Sequence, residues 1–303
     1  MSKYRSVLSL PGVPVTMLVM LFARLPQTAS GVTITLHVLG SLHRGYAAAG
    51  TVGAVATIGA ALGAPIAGRA VDRVGLRPLV LICGFPSVAL WLAAPAFSYP
   101  VLLIAAFPCG ALTLPASSLA RQVLASQVPA ERQRTAYSLD SMAVEFGFMI
   151  GPAAGVLLTT QFSSAIALRG IGLALATATV TLWWLNPPVH TAEERAAITA
   201  THPEPCPTPR HWLTPALLGT FLVVAGALFV LMGMEIATIA VLRSNGEVRW
   251  TGVVIAAMCV ASVLGGLVHG AVRRSLSQLS LMLSLAVLVL PVVAVDGPWW
   301  LLA

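Results

Sequence analysis

The chain has 303 residues, 57% of them hydrophobic and only 9% charged. Soluble domains average about 45–50% apolar and about 25% charged residues, so this composition excludes an ordinary soluble fold. The net charge of +7 comes from basic residues standing singly or in pairs between apolar runs, a distribution that orients membrane proteins and is not a nucleic-acid footprint.

A membrane-spanning helix needs about 20 mostly apolar residues, and nine such runs follow one another. Lys3 and Arg5 ahead of an apolar stretch look like a secretory leader, but the eight further runs make it an uncleaved first span. The spans are expected at Val13–Leu39, Ala47–Ala67, Leu79–Phe97, Val101–Ala120, Ala136–Thr160, Ala165–Leu185, Leu213–Leu242, Trp250–Val272 and Leu276–Val295. A tenth apolar run, from Trp299, ends with the chain at Ala303, so a truncated protein or gene fragment is expected. Residues 1–186 hold six spans, 187–212 a proline-rich linker, and 213–303 the remaining spans. Twelve Lys and Arg fall in one set of alternate loops, against four (Arg44, Arg169, Arg243, Arg249) in the other. That bias puts the N-terminus and the linker in the cytoplasm of a multi-pass protein of the plasma (inner) membrane. Cys83, Cys109, Cys206 and Cys259 are scattered without C-x-x-C spacing, so neither a metal site nor a disulfide framework is expected.

Between the second and third spans stands Gly68-Arg69-Ala70-Val71-Asp72-Arg73-Val74-Gly75-Leu76-Arg77-Pro78. Its glycines allow a tight turn, and Asp72 with Arg73 and Arg77 offers a set of ion pairs at the membrane surface. The pattern G-x-x-x-D-R-x-G-x-R resembles the signature loop of the major facilitator superfamily of secondary transporters, with Leu76 where the family has a basic residue. The resemblance implies an all-α polytopic membrane protein: a six-helix N-terminal bundle and a second, here incomplete, C-terminal bundle about a central path. Its partners would be the lipid bilayer and a small-molecule substrate, with no cofactor and no nucleic acid. Gly68, Asp72, Arg73, Gly75 and Arg77 would latch the cytoplasmic side. Asp140, near the inner end of the fifth span, would pair with a loop arginine such as Arg73, Arg77 or Arg121. Gly266-x-x-x-Gly270-x-x-Arg273-Arg274 is a worn copy of the loop without its acid.

The fifth span carries Gly147-x-x-x-Gly151-Pro152-x-x-Gly155. Glycines four apart let a neighbouring backbone approach closely, so a tight helix contact is the physical minimum. The pattern also resembles the motif of the exporter, or antiporter, branches of the family, with Ser138 and Val156 replacing two family glycines. That implies efflux of amphipathic compounds by antiport. The alternatives are a non-transporting remnant and an importer of small metabolites.

Charges within spans are expensive unless paired or wet. Arg24, with Gln27 one turn on, Glu145 and Glu235 are the candidates for a substrate or coupling cavity, against the simpler reading of structural ion pairs. The resemblance places the first and seventh spans across the path from each other, so Arg24 and Glu235 are expected to offset one another. Protons are the candidate coupling ion. The fourth span, at Ala105–Gly110, lacks the arginine that proton-coupled exporters of the family carry, which leaves Glu145 or Glu235 as carrier. His37 and His269 read as interfacial, and Trp183-Trp184, Trp212 and Trp299-Trp300 as interfacial anchors and not stacking platforms. The few polar groups at mid-depth form no nucleophile–base pair, which argues against an enzyme.

Overall fold

The computed structural model describes residues 2–189, 214–244, 251–271 and 280–287. Every regular element among them is helical. The chain divides into two compact units, Met1–Arg195 and Ala196–Ala303.

In the first unit a short α1 (Ser2–Leu8) leads into α2 (Val13–Gly40) and α3 (Tyr46–Val74). Then come α4 (Leu76–Ala93), a 3-10 turn (Ala94–Ala96), α5 (Tyr99–Ala111), α6 (Ala116–Gln127), α7 (Ala130–Gln161) and α8 (Ser164–Leu185). These make six segments long and apolar enough to cross a membrane, α5 and α6 together forming the fourth. Ser163 caps α8 by accepting from the Ile166 amide at 3.2 Å, and Asn186 ends it in the left-handed conformation, which asparagine tolerates.

Two departures from the expected spans bear on the site. The loop expected at 68–78 is largely helix: α3 runs on to Val74 and α4 starts at Leu76. Only Gly75 turns the chain, with a φ of 83° that residues bearing a Cβ rarely adopt. Arg73 in the last turn of α3 suits the negative end of the helix dipole. The fourth span, expected unbroken, loses its helix at 112–115. Pro115 lacks the amide that would continue the ladder and pushes Leu114 out of helical geometry.

The dominant helix pairs are α2 with α7 and α8, α3 with α5, and α4 with α8. Counted as spans, one packs on five and on six, two on four and three on six. Advancing every span by three exchanges one-on-five with two-on-four and returns three-on-six, as expected for two three-helix repeats. One-on-six, by contrast, has only a slight counterpart between four and three. One buried cluster, including Met20, Leu79, Leu119 and Leu182, fills the end near the N-terminus. Another, with Val38, Val52, Leu102 and Leu168, fills the opposite end. Outward-facing Leu18, Phe22, Ile66, Phe148 and Trp184 are more than half exposed, an apolar belt that suits lipid and not water.

The second unit has α9 (Pro215–Ser244) and α10 (Thr251–Ala271), with further helix at 280–287. These overlap the seventh, eighth and ninth expected spans. Most of the expected linker, the run from Trp299, and Arg273 and Arg274 of the worn motif lie outside the described residues.

Candidate functional site

The site begins where α2 meets α7. Arg24 Nη1 donates to Asp140 Oδ1 at 2.7 Å, and the two side chains are 5% and 4% exposed. At about 1.5 Å of rise per residue, both stand about 15 Å along helices that start at the same end of the bundle. Equal depth brings them together. One sequence expectation is corrected here. Asp140 pairs with Arg24 and not with Arg73, Arg77 or Arg121, so Arg24 finds a counter-charge within its own unit. The cause is the start of α7: it begins at Ala130, not Ala136, which sinks Asp140 nearly two turns deeper. The side chain of Glu235, the partner expected for Arg24, lies outside the described residues. Among the described residues, Nε and Nη2 of Arg24 have no hydrogen-bond partner.

One turn further along α2, Gln27 Nε2 donates to the Leu114 carbonyl at 2.9 Å. Leu114 belongs to the break in the fourth span. From α4, Ser87 Oγ donates to the Leu112 carbonyl at 3.1 Å. Side chains thus satisfy the carbonyls that the break releases, as they must where no bulk water reaches. A cavity of about 110 Å³ lies against the break, with Gln27, Ser30, Ser87, Trp91 and Thr113 in its wall. A second, mainly apolar cavity of about 300 Å³ shares Ser30, Trp91 and Thr113 and opens between α2, α3, α4 and α5. Sequence reasoning missed Ser87, Trp91 and Thr113. Pro115 within an apolar run was the available signal.

The glycines of α7 form the groove in which α2 lies. Gly147, Gly151 and Gly155 are buried. A Cβ on Gly151 would overlap the Thr28 hydroxyl, and one on Gly155 would come within 2.6 Å of Thr33 Oγ1. Thr28 Oγ1 donates to the Gly147 carbonyl at 2.9 Å. Pro152 sits within a helix that continues to Gln161. Glu145 is half-buried on the same helix.

At the N-terminal end of the bundle Gly68 lies within α3, and Asp72 and Arg73 are exposed on its last turn. The ion pairs expected of Asp72 with Arg73 and Arg77 do not form among the described residues. Arg77 turns instead to α8: its Nε donates to the Trp183 carbonyl at 3.1 Å, and its guanidinium stacks 5.5 Å from the Trp183 ring centroid. Trp183 is therefore a stacking platform after all, since an aromatic face attracts a cation. His37 is buried at 2% exposure. Its Nδ1 lies 2.8 Å from Ser164 Oγ, which lies 2.7 Å from Ser41 Oγ, tying the end of α2 to the start of α8. Glu235 and His269 lie on α9 and α10, and their side chains lie outside the described residues. Among the described residues no group of His, Cys, Asp or Glu could hold a metal ion.

A family model described as Major Facilitator Superfamily matches residues 16–303 of the chain. No curated protein matches the sequence.

Proposed function

The chain belongs to the major facilitator superfamily, whose members carry small molecules across membranes, and on that premise we propose that it exports amphipathic compounds by alternating access and antiport. The observation that carries the direction is the Gly147-Gly151-Gly155 face, whose sequence resembles the exporter motif and which seats α2 without a gap. A contact so close couples α2 and α7 as one body and holds Arg24 at the depth of Asp140. The bundle then rocks as a unit.

In this reading Gln27 faces the substrate path, and the Arg24–Asp140 pair below it keeps the interior neutral in the empty state. Glu145 on α7 and Glu235 on α9 carry the coupling protons. Gly68, Asp72, Arg73, Gly75 and Arg77 form the cytoplasmic latch: Arg77 is anchored on α8, and the exposed Asp72 and Arg73 are left to make and break ion pairs as the transporter cycles. The N-terminus faces the cytoplasm of an inner-membrane protein.

Export is tested with cells preloaded with a panel of cationic and neutral amphipathic dyes. Cells expressing the protein should lose at least one dye faster than controls, and an ionophore that collapses the proton gradient should remove the difference. Gly151→Val, which parts α2 from α7, should abolish it as well. Unchanged retention of every dye, or faster entry, would overturn export.

A further inference from the structure

The fourth span, Tyr99–Gln127, is long enough to cross the membrane, and its helix fails near the middle, at 112–115. The hydroxyl hydrogens around the adjoining cavity of about 110 Å³ are committed to backbone carbonyls. Ser87 Oγ donates to Leu112 at 3.1 Å, Thr113 Oγ1 to Cys109 at 2.9 Å, and Ser30 Oγ to Gln27 at 2.6 Å. Gln27 Nε2 donates to Leu114 at 2.9 Å. A hydroxyl has one hydrogen and two lone pairs. The three hydroxyls are therefore left with only acceptor capacity, while Gln27 keeps its Oε1 and one N–H and Trp91 its indole N–H. No carboxylate and no basic side chain lines this cavity.

A wall in which the acceptor sites of neutral oxygens outnumber the free donors, and which has no basic side chain, disfavours anions. It also selects against Ca²⁺ and Mg²⁺, which are held by carboxylates. Rings of neutral oxygens hold alkali cations, and interrupted membrane helices coordinate them through unwound carbonyls and half-helix C-termini. Here α5 ends at the break, so the negative end of its dipole lies there. The cavity is too small for a drug-sized molecule, whose sites start at about 300 Å³, yet roomy enough for an ion with one or two waters. We infer that this cavity, whose wall includes Gln27 of the proposed path, binds a monovalent cation of the Na⁺ type.

The test is binding of ²²Na⁺ to the purified full chain in lipid nanodiscs, with choline chloride holding ionic strength constant. Its readout is binding, so it stands or falls separately from export. Binding should saturate and be displaced by unlabelled Na⁺ but not by choline. Thr113→Val, which removes one hydroxyl at nearly constant shape, should weaken it at least tenfold. Ser30→Ala, which leaves the carbonyls of the break satisfied, should weaken it too. Thr177→Val, whose hydroxyl bonds the Ala174 carbonyl on an exposed face of α8, should bind as the parent does. Melting temperature separates lost folding from lost binding. No saturable binding by the parent chain would show a cavity that holds water only and would overturn the inference. So would parent-like binding by both folded cavity variants.

Discussion

At the scale of single residues, the buried pair of Arg24 and Asp140 carries the largest stakes. Forming such a pair gains little over two hydrated ions, but removing one partner strands the other and costs about 3–5 kcal/mol. Asp140→Asn should therefore destabilise the detergent-solubilised protein by about that much, read from its unfolding transition. Replacing both together, as Arg24→Met with Asp140→Leu, should recover most of the loss, because an apolar pair of similar volume is often as stable. Asp72→Asn is the contrast. Asp72 is exposed and makes no ion pair among the described residues, so its loss should move stability by no more than about 0.5 kcal/mol. A loss of similar size from Asp140→Asn would mean that the pair is not desolvated.

At the scale of elements, small residues decide which helices can touch. Cβ atoms on Gly59 and Gly63 of α3 would run into the carbonyls of Phe107 and Ala111, and one on Gly110 of α5 into that of Ala56. The two helices meet backbone to backbone beside the break, an approach that only small residues permit. Gly59→Val should cost at least about 1–3 kcal/mol, the usual penalty for overpacking. Gly50 lies on the same helix with open space around it. There Gly50→Ala should be neutral or stabilise by up to about 1 kcal/mol, because glycine is a poor helix former. Melting temperatures of the two variants, measured side by side, check the contrast. Equal effects would mean that α3 and α5 are not in backbone contact.

At the scale of the whole molecule, the open question is which way the bundle faces. Ser9 and His43 are exposed just beyond the two ends of α2, a helix of 28 residues that spans about 42 Å at 1.5 Å per residue. The excess of basic residues on the Ser9 side predicts that this side is cytoplasmic. In a cysteine-free background, Ser9→Cys should react with an impermeant maleimide only after the cells are opened, and His43→Cys in intact cells. Labelling of both in intact cells would mean that α2 does not cross the membrane, and the reverse pattern would invert the topology.

The sequence by itself determined which segments of the first unit can span a bilayer, because hydropathy is a sum over about 20 neighbouring residues and needs no knowledge of contacts. It also carried the spacing of Gly147, Gly151 and Gly155 and, through the pattern of Gly68, Asp72, Arg73, Gly75 and Arg77, the family. Only the tertiary structure decided the partners. Arg24 and Asp140 are 116 residues apart in the chain, and their meeting depends on where α7 starts and on α7, not another span, lying against α2. The same holds for Gln27 and the Leu114 carbonyl, 87 residues apart, and for Arg77 on Trp183, 106 apart. Depth and helix neighbourhood are set by the packing of six helices at once, and no window of sequence contains them.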